Sequence, residues 1–431
     1  MTYWLAARDY DRQLERAKSL GLTYSYDSLV PDPPLAEAEN AAPLYEAAIV
    51  KLEAHGPDDE SIRVIRDSLR TGPQNWEALR KAVADWEPYL PTFQRGAALA
   101  HCRFEREWAE GVMLPFPEFP PLRQAAEALC GRALLQARDH AVPDAVEDLR
   151  LAVAIGRHCG EEPVMIGSLV QLAVQARVLS VANLVVDLGG TPAIQPVQGL
   201  LATMGQGPDL AYALRGEVAF QFNVFSSLDE LEAEQSDSDA VFMPPMLLVK
   251  PLFVSSSLVQ RAYEARTLKR WCDAFESQAK IADPIALSAA LDLAGVELER
   301  SHHPADLLAK ILFPVFTHAG EAFVRLEANK RLLAASLDLR MMHAFEASYP
   351  DTPPVLPKDP FDGQPLRYRR EGDGSLLYSV GGDREDDGGR EKAGLANGQT
   401  GTDLALHVPA LRGRDTRATS EPGVLLRSTP G

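Results

Sequence analysis

The sequence predicts a mainly α-helical protein, a multi-helix αα bundle or superhelix, with a small antiparallel β unit near its C-terminal end and a disordered tail. Three observations predict it. From Asp9 to Ser348, apolar residues recur every three or four positions between Gly and Pro stops, which is the period of amphipathic helices. After Leu356 the pattern changes to alternation, the period of strands. After Pro409 the composition turns polar, with Val424, Leu425 and Leu426 as the clear apolar cluster, too little to bury.

The helical elements follow in order. Asp9 to Leu20 reads as a first helix ending at Gly21, followed by a Pro-rich loop from Val30 to Pro34. Asn40 is a good N-cap, Pro43 suits a first turn, and Leu44, Ala48 and Leu52 run down one face. Asp58 to Arg70 and Gln74 to Trp86 are the next two helices, each opened by Pro and closed by Gly or Pro. Met113 to Pro121 holds four prolines among Phe116 and Phe119. It reads as a non-helical connector.

Leu122 to Cys159 reads as helix, turn, helix, with the turn at Val142-Pro143-Asp144. Its second half is weakly similar to a tetratricopeptide (TPR) helix, but no copy recurs about 34 residues away as an array of such units requires. Val164 to Asp187 is apolar on most sides and ends at Gly189-Gly190, so it should lie centrally. Leu210 to Glu234 starts apolar and ends acidic, and Ser236 to Val254, broken by Pro244, Pro245 and Pro251, reads as a buried crossover in preference to an exposed apolar surface that touches a partner or membrane. Helices resume over Ser255 to Ile281, Pro284 to Arg300 and Pro304 to His318. The last, Glu321 to Ser348, carries a stripe at Leu326, Leu333, Leu337, Met341 and Phe345. This order divides the chain into an N-terminal helical subdomain (1–112), a main bundle (122–320), a long helix with its β unit (321–408) and the tail (409–431).

In the β unit Leu366 and Tyr368 alternate with charged neighbours, as do Leu376, Tyr378 and Val380 with theirs. Glu371-Gly372-Asp373-Gly374 is a hairpin turn, Asp-Gly supplying positive φ. Leu404 to Val408 is a third strand.

Charge excludes one class of function. Among 431 residues, 43 Lys and Arg stand against 61 Asp and Glu, a net charge of -18, and no basic stripe is present. Nucleic-acid binding needs the opposite field. The four cysteines lie in apolar helical stretches without a CxxC pair, which reads as buried free thiols. No signal-peptide pattern occupies Met1 to Leu22, and Gln171, Gln175, Arg177 and Asn183 interrupt the most apolar stretch, so no transmembrane segment is expected. As written the chain would be cytoplasmic; a leader or anchor upstream of Met1 would place it at the cell envelope.

The order of helix, Tyr349-Pro350, Leu356-Pro357-Lys358-Asp359-Pro360, Tyr368, Tyr378-Ser379-Val380-Gly381, acidic Gly loop and Asp403-Leu404 resembles the soluble end of type II secretion major pseudopilins. That family joins a long helix to a "DPWG" loop, a hairpin, a "YSLG" strand and a calcium-binding loop; here Phe361-Asp362-Gly363 replaces the tryptophan-glycine step. The likeness covers about Glu321 to Val408, and the prepilin leader and hydrophobic N-terminal helix are missing from the chain. The whole resembles a planctomycete-type group of bacterial proteins that join a helical body to such an end, on Asn40-Ala41-Ala42-Pro43-Leu44-Tyr45 and Asp386-Asp387-Gly388-Gly389. The resemblance implies a Ca²⁺ site at the acidic loop.

Read by chemistry alone, Asp383, Asp386, Asp387 and Asp403 supply the oxygen ligands a hard cation needs. A solvated acidic turn accounts for the same residues, and Arg384 favours it. His101-Cys102 with Glu105, and His158-Cys159, are zinc-capable types, but neighbours on a helix point about 100° apart, so packing Cys and surface His is the plainer reading. Glu299 and His302 form one ExxH step where a di-iron bundle needs two. No GxSxG, HExxH, P-loop or GxGxxG is present. The sequence therefore points to a non-enzymatic scaffold with a protein partner. The rival is an enzyme whose site in the helical body leaves no linear motif.

Overall fold

The computed structural model describes residues 2–22, 35–108, 110, 114–205, 207–210, 212–217, 219, 265–273, 284–302, 306–353, 355–390 and 403–409; among these, helices predominate as far as Glu346 and the three strands follow it. The fold is mainly α with a small three-stranded antiparallel sheet. The expected crossover, most of Leu210 to Glu234 and the tail lie outside the described residues.

α1 (Thr2–Ser19) is followed by a single 3-10 turn and then α2 (Ala42–His55), α3 (Asp59–Thr71), α4 (Trp76–Ala84) and α5 (Leu90–Ala97). Asp58 and Asn75 cap α3 and α4: Asp58 accepts from the Ser61 N–H, and Asn75 from those of Glu77 and Ala78. Asn40, expected as the N-cap, lies one position before it, since Ala41 is the N-cap of α2. Its Oδ1 accepts from the N–H of Ala42 at 3.1 Å and of Arg103 at 2.8 Å, and its amide donates to Arg103 O at 2.9 Å. It thereby pins residues 101–103 beside the start of α2.

α6 (Phe119–Arg138), α7 (Val142–Cys159) and α8 (Met165–Gly189) form the centre, each packing on the other two. The α6–α7 hairpin is clamped by Arg132, which donates to both oxygens of Asp148 at 2.7 and 2.8 Å. α8 is long and apolar enough to cross a membrane by length and composition. Here Leu172, Val178, Val181, Val185 and Val186 are buried in the common core. The proline-rich connector turns the chain without dividing that core, which runs unbroken from Ala17 to Leu337. α9 (Thr191–Thr203) closes one side against α7 and α8.

α10 (Pro284–Arg300) packs on α11 (Leu307–Glu346), a helix of 40 residues. Two separate helices, Pro304 to His318 and Glu321 to Ser348, were expected here; the correction turns on Gly320. A side chain there would meet Ser288 of α10 at 2.8 Å, so the glycine permits close packing and does not end the helix. α11 has two working faces. Phe323, Leu326, Leu333 and Leu337 enter the body's core. Val324, Ala328, Leu332, Ala335 and Leu339 pack under the β unit. At 100° per residue these stripes lie on opposite sides. Phe345, assigned to the stripe from its spacing, is 83% exposed. Beside the first face the fully buried Arg340 holds Asp187 of α8 at 2.7 Å and donates to Asn183 at 3.1 Å.

β1 (Arg367–Glu371), β2 (Gly374–Ser379) and β3 (Leu404–Val408) form the sheet in the order β1-β2-β3. Glu371 already pairs with Gly374, so the turn is Gly372-Asp373. Gly372 takes the positive φ of 59°, one step earlier than Asp-Gly chemistry suggests.

Candidate functional site

The loop from Pro357 to Leu366 is organised by one carboxylate. Asp359 is fully buried, and an unpaired buried charge is costly. Its Oδ1 accepts from Phe361 N–H at 3.0 Å and Ser379 Oγ at 2.9 Å; its Oδ2 accepts from Val380 N–H at 2.9 Å and Arg367 at 3.3 Å. Four donors from the loop, β1 and the end of β2 thus meet on one side chain. Arg367 extends the hub to Asp362, whose carboxyl it holds below the usual range, and lies 3.8 Å from Asp386. Two tyrosines tie the unit to the exit of α11: Tyr349 donates to Pro409 O at 2.9 Å and Tyr368 to Pro350 O at 2.6 Å.

The acidic loop folds back over the sheet. Gly388 and Gly389 take φ of 72° and 77°, and a side chain on Gly389 would strike Leu376 at 2.6 Å. That approach lets Gly389 N–H donate to Asp403 Oδ2 at 2.6 Å. Asp403 is buried, and among the described residues its Oδ1 has no hydrogen-bond partner. Burial pushes its carboxyl up; the N–H groups of Gly389 and Asp387 oppose this, and the charges of Asp386 and Asp387 add to it. Asp386, Asp387 and Asp403 therefore share one end of the sheet. Asp383 instead caps its own turn, accepting from Glu385 N–H at 3.2 Å, and Asp386 Oδ1 accepts from Gly388 N–H at 2.9 Å. Among the described residues no three His, Cys, Asp or Glu are close enough to enclose an ion.

Beside this loop lies an open cleft of about 1040 Å³ between α10, α11 and the β unit. Val296, Val324 and Phe361 supply apolar wall, and its lining includes Asp292, Glu321 and Arg384 but, among the described residues, no histidine or cysteine. Burial raises the Asp292 carboxyl while the nearby Arg384 charge lowers it. Arg384 is held there by a left-handed backbone, φ 61°. Gly382 packs so closely on α11 that a side chain would meet Glu321 at 3.0 Å. Leu293 and Val296 on α10 are exposed.

The His and Cys candidates fall out differently from one another. His101 is exposed, with Glu161 at 3.5 Å, while Cys102 and Cys159 are fully buried. His158 is not on the surface, as helical spacing suggested, but fully buried. Its Nε2 lies 3.1 Å from Leu99 O, a group that can only accept, so Nε2 carries the proton. Nδ1 then accepts from Tyr45 O–H at 2.8 Å. Burial, aided by the Arg157 charge, brings the imidazole down to about 4. Tyr45 and His158 lie 113 positions apart, so no local pattern announces the pair. Glu299 lines the cleft and His302 is exposed, without a metal-holding group around them among the described residues.

No family model, no curated protein and no solved structure matches the chain.

Proposed function

We propose that the chain is a non-enzymatic interaction protein, a helical scaffold presenting a pseudopilin-like module at the cell envelope. The observation that carries this reading is the open cleft where module and scaffold meet. Its apolar wall, rimmed by charges of both signs, suits an apolar peptide segment of a protein partner. Among the described residues its lining carries no histidine or cysteine, the side chains that most often serve acid–base or nucleophilic work. A photo-crosslinking residue at Leu293, beside the cleft, should give a discrete adduct in cells, lost on Val296→Arg. The same residue at the exposed Val50 of α2 is the control. Identical adduct patterns from both positions would overturn the proposal.

The Ca²⁺ site implied by the resemblance is a finer part of the same proposal. The unpartnered, buried Asp403 Oδ1 beside Asp386 and Asp387 supports it, because an oxygen without a donor suits a cation. Asp403, Asp386 and Asp387, which do not enclose an ion as they stand, would have to converge to hold it, with Asp383 joining only if its own turn opens. Binding in the weak range of extracellular modules, roughly 10⁻⁴ to 10⁻³ M, would tie β3 to the hairpin. At ten times the dissociation constant the gain is about 1.4 kcal/mol, and Asp387→Ala should remove it. Titration calorimetry of the full chain checks this; no heat at millimolar Ca²⁺ leaves the loop as a solvated turn.

A further inference from the structure

In the helical body, α3, α6 and α8 line a cleft of about 260 Å³ with Arg66, Arg123, Glu127, Cys130, Val174 and Arg177. Three guanidinium groups from three helices thus face one small space, in a chain whose net charge is -18. One carboxylate answers them: Arg66 reaches Glu127 Oε2 at 3.4 Å through both Nε and Nη2. Arg123 and Arg177 are half-buried. Arg123 Nε is fully buried and has no hydrogen-bond partner among the described residues. The next carboxylate, Asp148, has both oxygens engaged by Arg132. Burial pushes the Cys130 thiol well up, so it stays neutral and supplies no countercharge. The cleft therefore holds two guanidinium groups without a carboxylate partner among the described residues, both half-buried, and one of their nitrogens, Arg123 Nε, is out of water.

We propose that this cleft binds a phosphate monoester dianion. Two negative charges match the two unbalanced guanidinium groups, and the planar fork of arginine fits phosphate oxygens two at a time. The space is far larger than the roughly 30 Å³ of one water and below the roughly 300 Å³ where drug-sized pockets begin. It suits a phosphoryl group with a small appended group. Arg123 Nε, buried and lacking an acceptor, points to an oxygen still to arrive. Arg66 divides its charge between Glu127 and the ligand, so Glu127 sets the affinity by competing for it.

The test is titration calorimetry and thermal unfolding of the full chain at fixed ionic strength. Separate arms use inorganic phosphate, glycerol phosphate, and vesicles of neutral lipid with or without phosphatidic acid. Saturable binding of glycerol phosphate, tighter than inorganic phosphate, is the expected result. Inorganic phosphate alone, or vesicles alone, would assign the same phosphoryl site to a free ion or a lipid headgroup. Arg123→Met should weaken binding at least tenfold and, because it removes an unbalanced charge, should raise the Tm of the unliganded protein. Glu127→Gln should tighten binding severalfold. Absence of binding in every arm, or unchanged affinity in Arg123→Met and Arg177→Met, would overturn the proposal.

Discussion

In the helical body the large side chains taken fully out of water include Trp86, Tyr45, Phe93, Phe119, Leu79 and Leu122, with Arg340 the charged exception among them. In the C-terminal unit the group at the centre is the carboxylate of Asp359. The body has an apolar core running through its helices, and burial at about 25 cal/mol per Å² is its main support. The unit has three short strands and a small apolar patch on α11, Leu366, Leu377 and Val408. That face, with Val324, Ala328, Phe361 and Val380 beside it, is the least such a sheet needs, so directed hydrogen bonds carry more of the task. Packing tolerates substitutions of similar volume; a hub of four donors on one carboxylate does not.

The sharpest way to break the comparison is Asp359→Ala. It leaves the N–H groups of Phe361 and Val380 buried without acceptors, at about 1–3 kcal/mol each. The unit should lose about 4 kcal/mol of local stability while the body keeps its own. Hydrogen exchange checks this: amides of β1 to β3 should lose protection and those of α6 to α8 should not.

The body has its own polar weak point in His158. Its folded form is neutral down to about pH 4, whereas the unfolded imidazole takes a proton near 6.5. The unfolded chain therefore binds more protons between these values. The stability contributed by the neutral His158 is complete above about pH 6.5 and lost as pH falls towards 4. The loss is roughly 3 kcal/mol. Measured as the difference between the wild type and His158→Gln in denaturant unfolding, it should appear as a slope in this window that the variant lacks.

A smaller change sharpens the junction between the two regions. α11 ends with Ala347 in the left-handed region, φ 56°, its N–H bonded to His343 O at 2.8 Å. Glycine adopts this conformation without the steric penalty. Ala347→Gly should stabilise the chain by about 0.5 to 1 kcal/mol, seen as a rise in Tm of about 1–2 °C.

The body was legible because its signals are local. Asp58 stands at the start of α3 as expected, whereas Val142-Pro143-Asp144, expected as the turn, is the first turn of α7 and the chain turns at 139–141 instead. The hairpin was legible from alternation. What escaped was non-local. Gly320 reads as a stop when its purpose depends on Ser288, 32 positions earlier. The second stripe of α11 is helically spaced and could have been found, but a helix with two apolar faces is easily read as one face plus scatter. Asp359 was visible as part of a motif, yet its role depends on Ser379 and Val380. The arginine cleft draws on three helices and leaves no spacing to recognise.

The two faces of α11 have a consequence for how this chain tolerates change in length. One residue added between Phe323 and Leu339 turns everything beyond it by about 100° and shifts it by about 1.5 Å. That would rotate Leu333 and Leu337 out of one core and Leu332, Ala335 and Leu339 out of the other at the same moment. The acidic loop between β2 and β3 can change length without this effect. Seventeen positions of a single rod therefore form an indel-intolerant joint, and the scaffold and its module are inherited in a fixed angular phase.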